Sequence, residues 1–180
     1  MINLKNLSKA IKKEDILIWG KQDDINYISN GYFILKTPFK IEGSALSKMV
    51  SMLGTAPQNG ECIKKPQGKY NNDTIVVSNF NLDNNSRNEN LFKLCEQTEG
   101  LEDIVNTNLI AIDYKYRKVV FANKNNEYIY IQEKNANLID LDDVETLQGS
   151  KNTAPIFFRN GHETAMILPV RCGEQNEYLK

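Results

Sequence analysis

Residues Pro155 to Arg171, PIFFRNGHETAMILPVR, decide the reading of this chain. Ile156, Phe157 and Phe158 form one β-rich apolar run, and Ala165, Met166, Ile167 and Leu168 form another that contains no charge. Between them stands Asn160-Gly161, a pair that tolerates the positive φ of a tight reversal. The stretch therefore predicts a hairpin of two strands, each buried on at least one face. It anchors the fold and carries no catalytic motif of its own.

Working outward, the rest of the chain has the composition of a soluble globular protein. Of its 180 residues 41% are apolar and 25% charged, enough for one good core or two small ones. A net charge of −1 argues against a protein that coats nucleic acid over its whole surface. The charge is uneven, however. Residues 1–70 hold eleven Lys against six Asp or Glu, a net of +5, and the remainder is at −6. One part of the molecule is suited to face an anion and the other repels it.

Three widely spaced cysteines, Cys62, Cys95 and Cys172, with a single histidine, speak against a disulfide framework and a structural zinc site. A reducing cytoplasm is the expected compartment. No signal peptide is read in the lysine-studded residues 1–13, and the apolar run from Thr164 to Val170 is far too short to span a bilayer.

In chain order, Leu4, Leu7, Ala10 and Ile11 recur at helical spacing within Asn3 to Lys13, with Lys5, Lys9, Lys12 and Lys13 elsewhere on the cylinder. Strands at Ile16 to Trp19, Ile25 to Ser29 and Tyr32 to Thr37 follow as an antiparallel meander, turning at Lys21 to Asp24 and at Asn30-Gly31. A second helix is expected from Ser44, as N-cap, to Leu53, stopped by Gly54. A short strand at Cys62-Ile63 and a clearer one from Ile75 to Phe80 complete a first half. Asn81 to Asn90, with one apolar residue in ten, reads as a linker.

The order of elements then starts again. A helix is expected at Leu91 to Thr98, strands at Leu109 to Asp113, Lys118 to Phe121 and Tyr128 to Gln132, an acidic helix at Leu141 to Leu147, and the closing hairpin. The fold class is accordingly α+β, with antiparallel sheets, helices on one side and an internal duplication. The halves would be residues 1–82 and 91–180, joined by 83–90, with one single α+β domain as the alternative.

Two segments carry a resemblance. AMILPVR, Ala165 to Arg171, looks like the final strand of bacterial DNA sliding clamps, and SNGYFIL, Ser29 to Leu35, is similar to a short clamp segment in which a polar residue and Gly precede an apolar strand. The order helix, meander, helix, strand pair is also that of a clamp domain, although each half is smaller than clamp domains usually are. The resemblance implies a clamp-like binding module, a processivity-type factor of a phage or mobile element, with no enzymatic activity and no cofactor. It implies duplex DNA and replication proteins as partners, and three chains if a six-domain ring closes. Lysines on the inner helices would touch phosphates without reading sequence. In this chain they would be Lys5, Lys9, Lys12, Lys13 and Lys48. Glu96, Glu99, Asp142, Asp143 and Glu145, on the matching second-half helices, would oppose DNA.

Each candidate also has a plainer reading. The lysines suit a solvated helix face, and Lys12 and Lys13 suit a helix C-terminus. Asp140, Asp142, Asp143 and Glu145 resemble carboxylates for a hard cation, but lack the glycine of an EF-hand loop and read as helix-start acids. His162 reads as an exposed turn residue without a nucleophile to serve. Lys64 beside Cys62 is a weak hint of an activated thiol, and no glycine pattern matches a phosphate-cradling loop. Tyr27, Tyr32, Phe33, Tyr114, Tyr116, Tyr128 and Tyr130 fall in strands, either as a face on which single-stranded bases stack or as half of a core. Against the clamp reading stands a protein-binding adaptor or inhibitor whose acidic half mimics nucleic acid.

Overall fold

The computed structural model describes residues 1–66, 75–83, 87–113, 116–171 and 177–179. It begins with helix α1, Leu4–Ala10, followed by strands β1, Leu17–Gln22, β2, Ile25–Ser29, and β3, Phe33–Thr37. Helix α2, Gly43–Leu53, leads to β4, Glu61–Lys65, and β5, Val76–Asn79. Then come helix α3, Arg87–Lys93, with a 3-10 turn at Leu94–Glu96, and strands β6, Glu102–Asp103, β7, Val105–Asp113, β8, Tyr116–Ala122, and β9, Tyr128–Gln132. One turn of helix, α4, Glu133–Ala136, and a 3-10 turn at Leu141–Asp143 precede β10, Thr146–Gly149. The hairpin is β11, Ile156–Asn160, with β12, Glu163–Ile167, and β13, Glu177–Leu179, follows.

Among the described residues the strands make two antiparallel sheets. The larger has nine strands in the order β5-β4-β1-β2-β3-β12-β11-β10-β6, and the smaller has four, β13-β7-β8-β9. The fold is α+β with antiparallel sheets, as the sequence predicts. The closing hairpin is central: β12 pairs with β3, Ile167 opposite Phe33 and Ala165 opposite Leu35. The two segments that carry the clamp resemblance are thus neighbours in one sheet.

Period-two alternation explains why both faces of this sheet are covered. Leu17, Trp19, Ile28, Phe33, Leu35, Phe158, Ala165 and Ile167 point into a large core that also holds α1, α2 and Phe121, Ile129 and Ile131 of the smaller sheet. Ile18, Tyr27, Ile34, Phe157 and Met166 point the other way, onto Phe80, Phe92 and Cys95. Helices α1 and α2 therefore share one side, as expected, and α3 with its 3-10 turn packs on the opposite one.

Turn chemistry departs from expectation in the hairpin. Asn160 pairs with Glu163, so the turn residues are Gly161 and His162 rather than Asn160-Gly161. Gly161 has φ 48°, and a two-residue turn with glycine at its first central position needs that. At the first reversal Asp23 and Asp24 have φ of 51° and 61°, the pattern of a turn with both central residues left-handed.

Three further expectations are corrected. Ser44 is not the N-cap of α2: Glu42 occupies that position without a side-chain bond, and Ser44 lies in the first turn. The acidic helix at Leu141 to Leu147 is only a 3-10 turn, because Thr146 and Leu147 are drawn into β10, where Leu147 faces Phe158. Asp140, at its start, makes no side-chain cap hydrogen bond. Helix α1 ends at Ala10, so Lys12 and Lys13 follow it.

Candidate nucleic-acid interface

Helices α1 and α2 lie side by side on the core. Leu7 and Ala10 of α1 and Ala45, Met49, Met52 and Leu53 of α2 are buried, which fixes the opposite faces toward solvent. Ser8 Oγ and Ser44 Oγ are 3.3 Å apart across the seam. Neither helix contains an Asp or Glu. Gly54, φ 80°, closes α2 and donates its N–H to the Val50 carbonyl at 2.8 Å.

The predicted lysines populate this surface. Lys5, Lys9, Lys12 and Lys13 are exposed and Lys48 is half-buried. Among the described residues none of the five enters an ion pair, whereas Lys21 pairs with Asp24, Lys36 with Glu96 and Lys40 with Glu42. Lys12 also anchors the end of α1 through its backbone. Its N–H donates to Asp15 Oδ2 at 2.9 Å, and its carbonyl accepts from Asp15 N–H at 3.1 Å.

Of the acids expected to oppose an anion, Glu96 is placed apart from the lysine surface and Asp143 stays near the start of α1. Glu96, in the 3-10 turn after α3, sits with Cys95 on the other side of the nine-stranded sheet and pairs with Lys36 of β3. Asp143 lies 3.4 Å from the Met1 amino group, and Glu145 accepts the Gly161 N–H at 3.1 Å. The clamp resemblance sets these carboxylates on second-half helices that would line the same ring, and the topology places Glu96 across the nine-stranded sheet from the lysines.

The remaining candidates are scattered. Cys62 and Cys95 are buried, and burial, followed by the nearby Glu96 carboxylate, pushes the Cys95 thiol up to about 12. Cys172 and Tyr114 lie outside the described residues. His162 is exposed in the hairpin turn. Among the described residues no three His, Cys, Asp or Glu side chains are gathered as for a metal ion. No helix there is long and apolar enough to cross a membrane.

The tyrosines divide. Tyr27 and Phe33 are core residues, and Tyr32, Tyr116 and Tyr128 are exposed. Tyr32 and Tyr116 line a cavity of about 310 Å³ just past the end of α1, with Lys12, Arg117, Gln132 and Lys134. The sequence singled out both tyrosines and missed Arg117 and Lys134, which come from distant segments and form no motif.

No family model matches the chain, and no curated protein matches it significantly. The solved structures it matches are sliding clamps, at TM-scores of 0.37 to 0.40. The beta subunit of the DNA polymerase of Streptococcus pyogenes matches with 14% identity and a TM-score of 0.40, over 96% of this chain and 62% of that one. The Helicobacter pylori beta clamp, bound to a DNA ligase peptide, matches with 7% identity and a TM-score of 0.37, over 94% and 62%. The DNA polymerase sliding clamp of Bacillus subtilis matches with 12% identity and a TM-score of 0.38, over 94% and 62%. The chain spans 62% of the length of each of these. Likeness at this level assigns neither a family nor an activity to the chain.

Proposed function

We propose that this chain is a non-enzymatic, clamp-like binding module that lays α1 and α2 along the backbone of duplex DNA, in the manner of a processivity-type factor of a phage or mobile element. The observation that carries the reading is the pair of adjacent, acid-free helices whose nearby lysines Lys5, Lys9, Lys12, Lys13 and Lys48 have no carboxylate partner among the described residues. Unpaired ammonium groups on a helical surface exchange counterions with phosphates without reading bases. Five such contacts give a slope of log affinity against log salt of about −4.5.

Replication proteins as further partners, and a ring of three chains each contributing the halves 1–82 and 91–180, belong to the same proposal. Fluorescence anisotropy with a short labelled duplex of mixed sequence tests it. Binding that is indifferent to sequence and weakens steeply with salt supports the reading. Sedimentation to a trimer supports the ring.

A second reading, an adaptor or inhibitor with an acidic surface, draws on the net charge of −6 after Tyr70. It predicts no duplex binding at low salt and a stable complex with a protein.

A further inference from the structure

The cavity past the end of α1 gathers side chains that the duplex reading leaves unused. Its acids are already engaged. Asp15 Oδ2 accepts from the Lys12 N–H at 2.9 Å and from Asn30 Nδ2 at 3.3 Å. Glu133 Oε1 accepts from Arg117 Nε at 2.9 Å. Lys12 and Lys134, on the same walls, make no ion pair among the described residues. Lys134 Nζ sits 5.5 Å from the centroid of the Tyr32 ring, so one cation is held beside an aromatic face. Tyr32 is 44% exposed and Tyr116 is 54% exposed, so both rings are open to solvent at the cavity. Burial lowers the Lys134 pKa from its ordinary value, and Lys12 adds to that lowering while Asp15 opposes it.

We propose that this cavity binds a nucleotide, its base stacked on Tyr32 and its phosphate held by Lys12 and Lys134. The three kinds of group present select for that chemistry together. An exposed aromatic face favours a flat ring, and two ammonium groups without carboxylate partners favour a phosphate. The Gln132 amide offers a donor and an acceptor to a base edge. The volume, about 310 Å³, is at the small end of ligand sites. Because Lys12 belongs both to this cavity and to the lysines of the α1 surface, the nucleotide is either free or the unpaired end of a strand.

Isothermal titration of the full chain with dAMP, inorganic phosphate and a short oligothymidylate tests the proposal. The expected result is that dAMP or the oligonucleotide binds and phosphate alone binds at least tenfold more weakly. Tyr32→Leu then lowers nucleotide affinity about tenfold, the scale of one lost base stack, and Lys134→Gln lowers it as well, with circular dichroism unchanged. Should Tyr32→Leu fail to fold, Tyr32→Gln serves as the aromatic variant. Binding of dAMP identifies a free-nucleotide site. Preference for a duplex with a single-stranded overhang over a blunt one, without dAMP binding, identifies a strand-end site. Phosphate binding as tightly as dAMP, an unchanged affinity in the aromatic variant, or no binding of either probe overturns the proposal. Blunt-duplex binding is read separately, so loss of the cavity site leaves the helix-pair reading intact.

Discussion

Gly20 has no side chain because Phe80 stands where one would be. A Cβ built at Gly20 meets Phe80 Cε1 at 2.9 Å, and the ring is fixed by Tyr27 and Phe92 at centroid distances of 5.5 and 5.6 Å. Gly20→Val therefore overpacks this minor core and should cost about 1–3 kcal/mol, read as a lower urea midpoint at unchanged slope. The same cluster shapes the pH response. Burial raises the Cys95 thiol from 9.0 to about 12 and the Tyr27 phenol from 10.0 to about 12. Both groups are neutral in the folded chain over that range and ionise once unfolded, so the unfolded state binds fewer protons there. Stability is accordingly whole below pH 9 and falls between pH 9 and 12, and Cys95→Ser should flatten the decline in unfolding experiments. Neither residue announced this in the sequence. A lone Gly in a strand and a lone Cys after a helix are silent until Phe80, Phe92 and Glu96 are brought to them.

At the scale of elements, the sequence was most informative where a period was sustained. The meander from Leu17 to Thr37 and the run from Ile156 to Ile167 alternate cleanly between two cores, so the strands were legible. The acidic segment at Leu141 was not, because pairing of Leu147 with Phe158 outweighs the local preference for helix. What no local pattern shows is the joint between β3 and β12. There Thr37 Oγ1 donates to Glu163 Oε1 at 2.9 Å, and Ile2 N–H donates to Glu163 Oε2 at 3.1 Å. Glu163 is 5% exposed, so its carboxylate ties the chain start and both hairpin systems together inside the protein. Glu163→Ala leaves Thr37 and Ile2 without their acceptor and should destabilise by about 1–3 kcal/mol. Asn160→Ala, whose Nδ2 donates to the exposed Asp143 carbonyl at 2.6 Å, should cost less than half as much in the same thermal melts.

On the scale of the whole molecule, the sheet parts one acid of the second half, Glu96, from the lysines of the first. The lysines near α1 and α2 face solvent on one side of the nine-stranded sheet, and Glu96 with its 3-10 turn lies on the other. The helical placing of Lys5, Lys9 and Lys48 was legible from spacing and that of Lys12 and Lys13 was not, and the separation of all five from Glu96 depends on which face α3 covers, a matter of long-range packing. Net charge alone cannot produce the proposed affinity, since the chain as a whole carries −1. The decisive measurement is duplex binding against salt for Lys5→Glu/Lys9→Glu beside Lys124→Glu/Lys151→Glu, which changes net charge equally at exposed sites outside both helices. The account predicts that the first variant loses at least tenfold in affinity and about two units of salt slope while the second stays near wild type. Equal losses in the two variants would contradict it.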